Sequence, residues 1–211
     1  MHFRERFTAY IQRDVEVRVL RKQDSRLMKV LNVILFFVPD FMTNFTTTIG
    51  ETIYMPENEL RREDVGVVPL LSHECQHVWD NKRWGLLYSI GYLFPQILAL
   101  GAIGAVWGGL WWLLFLIFLL PWPAPFRMLI ERRGYLVFLA LDEQLSLSMS
   151  SDRKARMIDN VVRQFVGKNY YFMWPFERSI TEWLTKKLES SYTEKTYLPV
   201  LETAKRFIEL P

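Results

Sequence analysis

Two histidines and a glutamate lie within the run His73-Glu74-Cys75-Gln76-His77, in a segment with helical periodicity. Side chains at positions i and i+4 of a helix lie one above the other, so both imidazoles can bind one metal ion. Zinc is the ion that this HExxH spacing favours. Glu74, between the histidines, can take a proton from metal-activated water as that water attacks a carbonyl carbon. The pattern therefore predicts zinc-assisted hydrolysis with Glu74 as the general base.

A catalytic zinc site usually has three protein ligands and one open position, so a third ligand must come from elsewhere in the chain. The metzincin arrangement is excluded because Arg83 stands where its third histidine would be. Asp80 is expected to be a partner of a ligand or a surface group. Cys75 points away from its neighbours on the helix and is expected to be a packed thiol. His2, near the terminus, is expected to be solvated.

Composition limits the class of protein. A chain of 211 residues has room for one well-cored domain, so we expect a single domain over residues 1–211. The 26 cationic side chains are nearly matched by 23 anionic ones, and no phosphate loop or zinc-finger cysteine pair occurs, so nucleic acid is not an expected partner. One cysteine cannot form an internal disulfide. The N-terminal residues lack a signal-peptide pattern, which favours a cytoplasmic protein.

The periodicity predicts a mainly α (α+β) fold with a small β-hairpin. Residues 45–55 are rich in β-branched side chains around Gly50 and Glu51, which predicts two strands, 45–49 and 52–55, joined by a tight turn. Residues 57–66 are expected to be a loop or a frayed helix. Helices are expected at about 5–37 with a break near 23–25, and at 69–85, 126–149, 152–165, 176–188 and 197–210.

Three segments together resemble the minimal core of gluzincin metallopeptidases: HECQH, the upstream TTTIGETIYMP and the downstream ERRGY. The chain is also similar to small metallopeptidase-like proteins of bacteria and phages, which carry an aromatic segment like YYFMWP. The resemblance covers about residues 45–175. It implies a zincin-like helical domain, a Zn²⁺ cofactor and a peptide or protein substrate.

The resemblance also implies that a glutamate from a later helix completes the zinc site. Glu131 is the best candidate, because Gly134 keeps the next turn slim and Tyr135 faces the same way. Asp142 and Glu143, about three turns further along, are its rivals.

In gluzincins an edge strand beside the HExxH helix holds extended substrate. For this chain the resemblance implies that residues 46–48, which include Thr48, or residues 52–55 pair with a peptide. Tyr135, Tyr171 or its neighbour Tyr170 would then line the site. The alternative for the aromatic segment is a plug in the hydrophobic core.

Residues 84–120, the apolar insert, contain no acidic or basic side chain, which predicts association with a membrane. One continuous helix of this length would measure about 55 Å, far more than the ~30 Å hydrocarbon core. Two shorter helices are therefore expected, with a turn near residues 101–104. The alternative is a helical hairpin buried in a soluble cytoplasmic, virion-associated or oligomeric protein.

The apolar insert lies between the second and third expected ligands, so both of its ends must return to one ion. Cations flank it on both sides, Lys82 and Arg83 before it and Arg127, Arg132 and Arg133 after it. This symmetry predicts that both ends, and the zinc site with them, lie on the cytoplasmic side.

The sequence therefore predicts a zinc peptidase in which Glu74 activates water and later protonates the leaving amine. One alternative is a non-catalytic membrane or virion protein with a structural or vestigial zinc site, which a fourth ligand such as Asp80 would favour. Another is a membrane-anchored module that binds a peptide along its β-hairpin.

Overall fold

Helices surround a small three-stranded sheet in the computed structural model, which describes residues 3–36, 38, 40–61, 66–145, 151–189 and 199–209. The strands are β1 (Arg18–Arg21), β2 (Thr47–Ile49) and β3 (Thr52–Met55). The α-helices are α1 (Phe3–Asp14), α2 (Arg26–Ile34), α3 (Phe41–Asn44), α4 (Glu57–Leu60), α5 (Val67–Trp84), α6 (Leu86–Leu93), α7 (Ala105–Gly108), α8 (Pro125–Leu145), α9 (Ser151–Val166), α10 (Glu177–Glu189) and α11 (Pro199–Glu209). Short 3₁₀ helices cover Lys22–Asp24, Gln96–Gly104, Leu110–Leu119 and Lys168–Tyr170.

The mainly α (α+β) fold class is confirmed. Helices α5, α8, α9 and α10 begin within two residues of their predicted starts. The hairpin of β2 and β3 is antiparallel, as the β-branched residues predicted. His2 and the predicted helix boundaries at residues 37, 149, 197 and 210 lie outside the described residues.

The long N-terminal helix predicted over residues 5–37 is wrong in its middle. After α1 the chain turns at Glu16, whose φ is +56°, and runs as strand β1 beside β3. The two strands are parallel, with Val19 opposite Ile53. The hydrogen bonds that stabilise β1 come from residues far away in the chain, and a local periodicity cannot register them.

Two hydrophobic clusters share helix α8. The first joins α8 to α1, α5, α11 and the sheet, and the second joins it to α9 and α10. Val137 of α8 is fully buried in the first cluster and Leu136 is nearly so in the second. Helix α5 packs lengthwise against α8. The pair therefore forms a rigid base on which side chains from both helices can be placed accurately.

The apolar insert contains α6, a sharp bend at Pro95, and two antiparallel arms, Gln96–Gly108 and Leu110–Leu119. No single helix in the described part of the chain is both long and apolar enough to cross a membrane. The helices Leu86–Leu93 and Gln96–Gly108 reach the necessary length and apolar composition only when taken together, and the chain bends by 90° between them.

The predicted turn at residues 101–104 is wrong, because the chain reverses at Gly109, whose φ is +85°. Gly101 and Gly104 instead allow the two arms to pack. A Cβ at either position would lie 2.5 Å from the ring of Phe115 or Trp112, respectively.

Candidate metal centre

His73 and His77 project from the same face of α5 toward α8. Their Nε2 atoms lie 3.0 Å apart, and each residue is 5% exposed. The i, i+4 spacing therefore produces the paired imidazoles that the sequence predicted.

Glu131 of α8 brings a carboxylate to these histidines. Its Oε2 atom lies 3.4 Å from His73 Nε2 and 3.5 Å from His77 Nε2. Glu131 is 1% exposed, and Oε2 accepts no hydrogen bond from the described residues. A buried carboxylate oxygen without a donor is costly unless a cation binds it. The three buried side chains can therefore hold a metal ion.

The rival carboxylates on α8 have other partners. Asp142 and Glu143 each lie 3.4 Å from a cationic side chain of α9, Arg153 and Lys154 respectively. Of the three candidates considered from the sequence, the structure brings only Glu131 to the described histidines.

The charges of the cluster reinforce one another. Burial alone would raise the pKa of Glu131, but His77 and His73 outweigh it, and the pKa falls well below its usual range. Burial would likewise lower the pKa of His77, yet Glu131, Glu74 and Asp80 together raise it to about 9. Glu131 is therefore held as an anion, the form in which a carboxylate binds metal.

A residue of the sheet holds the Glu74 carboxylate in position. The hydroxyl of Thr48 on β2 donates a hydrogen bond to Glu74 Oε2 at 2.6 Å. Within the described sheet β2 is an outer strand, in the order β1-β3-β2. The structure therefore places the outer strand of the described sheet beside the expected general base.

Gly134 and Tyr135 lie against His73, one turn along α8 from Glu131. A Cβ on Gly134 would lie only 2.8 Å from His73 Cε1, so no larger residue fits without displacing the ring. The ring of Tyr135 packs edge-on against His73, with centroids 4.6 Å apart. The close approach of α8 expected at Gly134 is confirmed.

The aromatic segment after α9 divides between the site and the apolar insert. Tyr135 donates a 3.3 Å hydrogen bond to the hydroxyl of Tyr170. Burial, and then the charge of Glu131, raises the pKa of both tyrosines, so both remain protonated. Tyr171 instead donates to the carbonyl oxygen of Leu119 in the apolar insert. Tyr170 is thus the member of the pair that joins the site.

Tyr92 is a site residue that the sequence reasoning missed. Its hydroxyl donates a 2.6 Å hydrogen bond to Glu131 Oε1 from helix α6, inside the apolar insert. Arg127 in turn donates to the Tyr92 carbonyl oxygen at 2.8 Å and to Gln96 Oε1 at 3.1 Å. A signal was available in the sequence: polar side chains recur every four residues, at Tyr88, Tyr92 and Gln96, in a run without charged residues.

Two other residues of α5, Asp80 and Cys75, stabilise the fold. Asp80 is fully buried and pairs with Arg133 of α8 at 2.9 Å, so it joins the two helices. Cys75 is fully buried in the first hydrophobic cluster, as predicted for a packed thiol. Burial, and then the nearby charge of Glu74, raises the pKa of this thiol and makes it a poor nucleophile.

The fold and the site define a helical α+β protein with a buried His-His-Glu cluster that can hold a metal ion. No family model matches the chain, and neither the curated proteins nor the solved structures with which it was compared include a match.

Proposed function

We propose that this protein is a zinc-dependent peptidase of the gluzincin type. The observation that carries the proposal is the convergence of His73, His77 and Glu131 on one point beside Glu74. The three donor atoms are separated by 3.0 to 3.5 Å. Ligands of a tetrahedral zinc ion with bonds of about 2.0 Å are separated by about 3.3 Å, so the cluster suits zinc with little movement.

Zinc held by these three side chains would polarise a peptide carbonyl and make water more acidic. Glu74 then accepts the proton of the attacking water and delivers it to the leaving amine nitrogen as the C–N bond breaks. Thr48 orients this carboxylate through its hydrogen bond to Oε2. Tyr92 holds Glu131 through a hydrogen bond, and Tyr135 holds His73 through ring packing.

The edge of β2 supports a peptide as the substrate. One edge of this strand pairs with β3, and the other is an outer edge of the described sheet. An extended peptide can add to such an edge through backbone hydrogen bonds. Because Thr48 contacts Glu74, a peptide paired with β2 would pass next to the general base.

The alternative is a non-catalytic membrane or virion protein that keeps a zinc site for stability. Such a site is normally closed by a fourth protein ligand. Asp80, the residue that could supply it, is engaged with Arg133 instead. This pairing favours a site with an open position.

The test combines metal analysis with hydrolysis of a labelled-peptide library. We expect Glu74→Gln to keep one zinc per chain and to lose hydrolysis by a factor on the order of 10³. Glu131→Gln should lose zinc, whereas Glu143→Gln, on the same helix, should behave as wild type. Undiminished hydrolysis by Glu74→Gln would overturn the proposal, and zinc without any turnover in wild type would favour the structural alternative.

A further inference from the structure

The apolar insert presents a large apolar surface that no element of the described chain covers. Its arms carry apolar side chains that are 58 to 83% exposed, among them Ile103, Val106, Trp107, Leu110, Trp111 and Leu114. From residue 84 to residue 126 the chain has no acidic or basic side chain. Soluble monomers rarely expose an apolar patch of this extent, so another phase or molecule must cover it.

The distribution of exposure favours lipid over a protein partner. In the arm Leu110–Leu119, Phe115 and Phe118 are half-buried and the other eight side chains are exposed. Phe115 packs into the seam between the arms, against Gly101. Trp112 lies in the same seam, against Gly104 and Gly108. Apart from Phe118, the other residues of this arm, on the remaining faces of the 3₁₀ helix, are exposed. A protein partner covers one face of an element, whereas an element that is apolar all round suits a hydrocarbon solvent.

The lengths of the arms limit the depth of insertion. At about 2.0 Å per residue in a 3₁₀ helix, Leu110–Leu119 spans about 20 Å. The opposite arm, Gln96–Gly108, is about 24 Å long. Both are shorter than the ~30 Å hydrocarbon core, and they meet at a turn, Gly109.

We propose that the apolar insert enters one leaflet of a lipid bilayer and turns back near its midplane. The base of the insert is fixed to the candidate metal centre through the hydrogen bond of Tyr92 to Glu131. Tyr171, next to Tyr170 of the site, also donates to the Leu119 carbonyl oxygen in the insert. The centre therefore lies at the membrane surface. Resting on the proposed function, this position assigns the substrate class: peptide segments held at the surface of a bilayer, such as those next to a lipid or membrane anchor.

Flotation of the full-length protein with vesicles of phosphatidylcholine and phosphatidylglycerol tests the insertion. Wild type should float with the vesicles, and Trp107→Asp/Leu114→Asp should remain at the bottom of the gradient. Val33→Asp is the matched control, because Val33 on α2 is also an exposed apolar residue, at 74%. If the double variant floats like wild type, or if Val33→Asp is lost equally, the proposal is overturned.

Cysteine labelling tests the depth. The variant Leu110→Cys places a cysteine at the tip of the insert and is added to preformed vesicles. An impermeant maleimide, supplied either outside or inside the vesicles, should not label this cysteine until detergent is added. Wild type gives the background, since its single cysteine, Cys75, is fully buried. Labelling by reagent inside the vesicles would indicate a full span, and labelling from outside would indicate no insertion. Either result contradicts insertion into one leaflet.

The substrate class is tested with one peptide in two forms, free and acylated. On vesicles, the acylated form should be cleaved at least about tenfold faster, because both partners are concentrated at one surface. Trp107→Asp/Leu114→Asp should abolish this preference, and Val33→Asp should keep it. Equal cleavage of both forms by wild type would overturn the assignment of substrate. Absence of cleavage in either form would count against the peptidase, while the flotation result would stand by itself.

Discussion

The hydroxyl of Tyr92 donates a 2.6 Å hydrogen bond to Oε1 of Glu131, a residue 39 positions further along the chain. This contact joins the apolar insert to the candidate metal centre. Glu131 Oε2 faces the histidines while Oε1 is held by Tyr92, so the orientation of the carboxylate depends on where α6 lies. A partner of this kind tunes a ligand without touching the ion.

Tyr92→Phe is expected to weaken zinc binding by about tenfold or more, because partners of metal ligands typically contribute that amount. The ring and its packing remain, so the fold should be retained. Competition with a chromophoric chelator measures the affinity. Tyr88→Phe is the control, since Tyr88 stacks on Tyr92 with centroids 6.0 Å apart. Equal zinc affinity in wild type and Tyr92→Phe would contradict the role given to this hydroxyl.

Gly134→Ala is expected to displace the His73 ring, because the new Cβ would lie 2.8 Å from Cε1. Overpacking of this kind costs about 1–3 kcal/mol, so both zinc affinity and the free energy of unfolding should fall. Gly91→Ala is the control: its Cβ would lie 3.5 Å from Phe126 Cβ, an ordinary contact. Denaturant unfolding measures the stability of the two variants, and zinc titration measures their affinity. If Gly134→Ala matched Gly91→Ala in both measurements, the close fit at Gly134 would be unimportant.

Thr48→Val is expected to reduce kcat/KM for peptide hydrolysis about tenfold, since a hydrogen bond to a charged group is worth about 1.5 kcal/mol. Valine has nearly the shape of threonine but cannot donate to Glu74. Thr48→Ser should retain most of the activity, because it keeps the hydroxyl. Zinc content should be unchanged in both variants. Equal loss in the serine variant would assign the effect to packing of β2.

The local parts of the site were predictable from sequence. The two histidines follow from the geometry of one helical turn, and Gly134 three residues after Glu131 signalled where α8 comes close. The β-branched run predicted the hairpin of β2 and β3 for the same local reason.

The nonlocal parts were not predictable in the same way. Strand β1 depends on pairing with β3 across more than thirty residues, and its sequence fitted a helical period equally well. The contact of Tyr92 with Glu131 depends on how the apolar insert folds back on α8. The turn of the insert was misplaced because glycines serve tight packing as readily as turns, and only the rings of Phe115 and Trp112 distinguish the two uses.

Lys22 is a buried cation that positions the strand beside the site. It is fully buried, and its Nζ donates to the carbonyl oxygens of Phe41 and Phe45 and to Thr47 Oγ1 at 2.6, 2.7 and 2.8 Å. These bonds hold α3 and the start of β2 together. Burial lowers the pKa of Lys22 from about 10.5 to about 8, against the opposing effect of Glu74.

This lowered pKa predicts a dependence of stability on pH. Below about pH 8 the lysine is charged in both the folded and the unfolded chain, so the cost of burying its charge does not change with pH. Between about pH 8 and 10.5 the unfolded chain binds a proton that the folded chain does not, so the free energy of unfolding rises with pH. The rise attributable to Lys22 is at most about 3 kcal/mol.

Lys22→Met isolates this effect, because it removes the titrating group while the other ionisable residues remain in both proteins. At pH 7 the variant should be less stable than wild type, because the carbonyl oxygens of Phe41 and Phe45 and the hydroxyl of Thr47 lose the donor that Lys22 provides. Urea unfolding at intervals from pH 7 to 10.5 should then show the stability of wild type, relative to the variant, increasing with pH. A difference that stays constant over this range would mean that Lys22 titrates in the folded protein as it does in the unfolded chain, and that the protein tolerates its burial without cost.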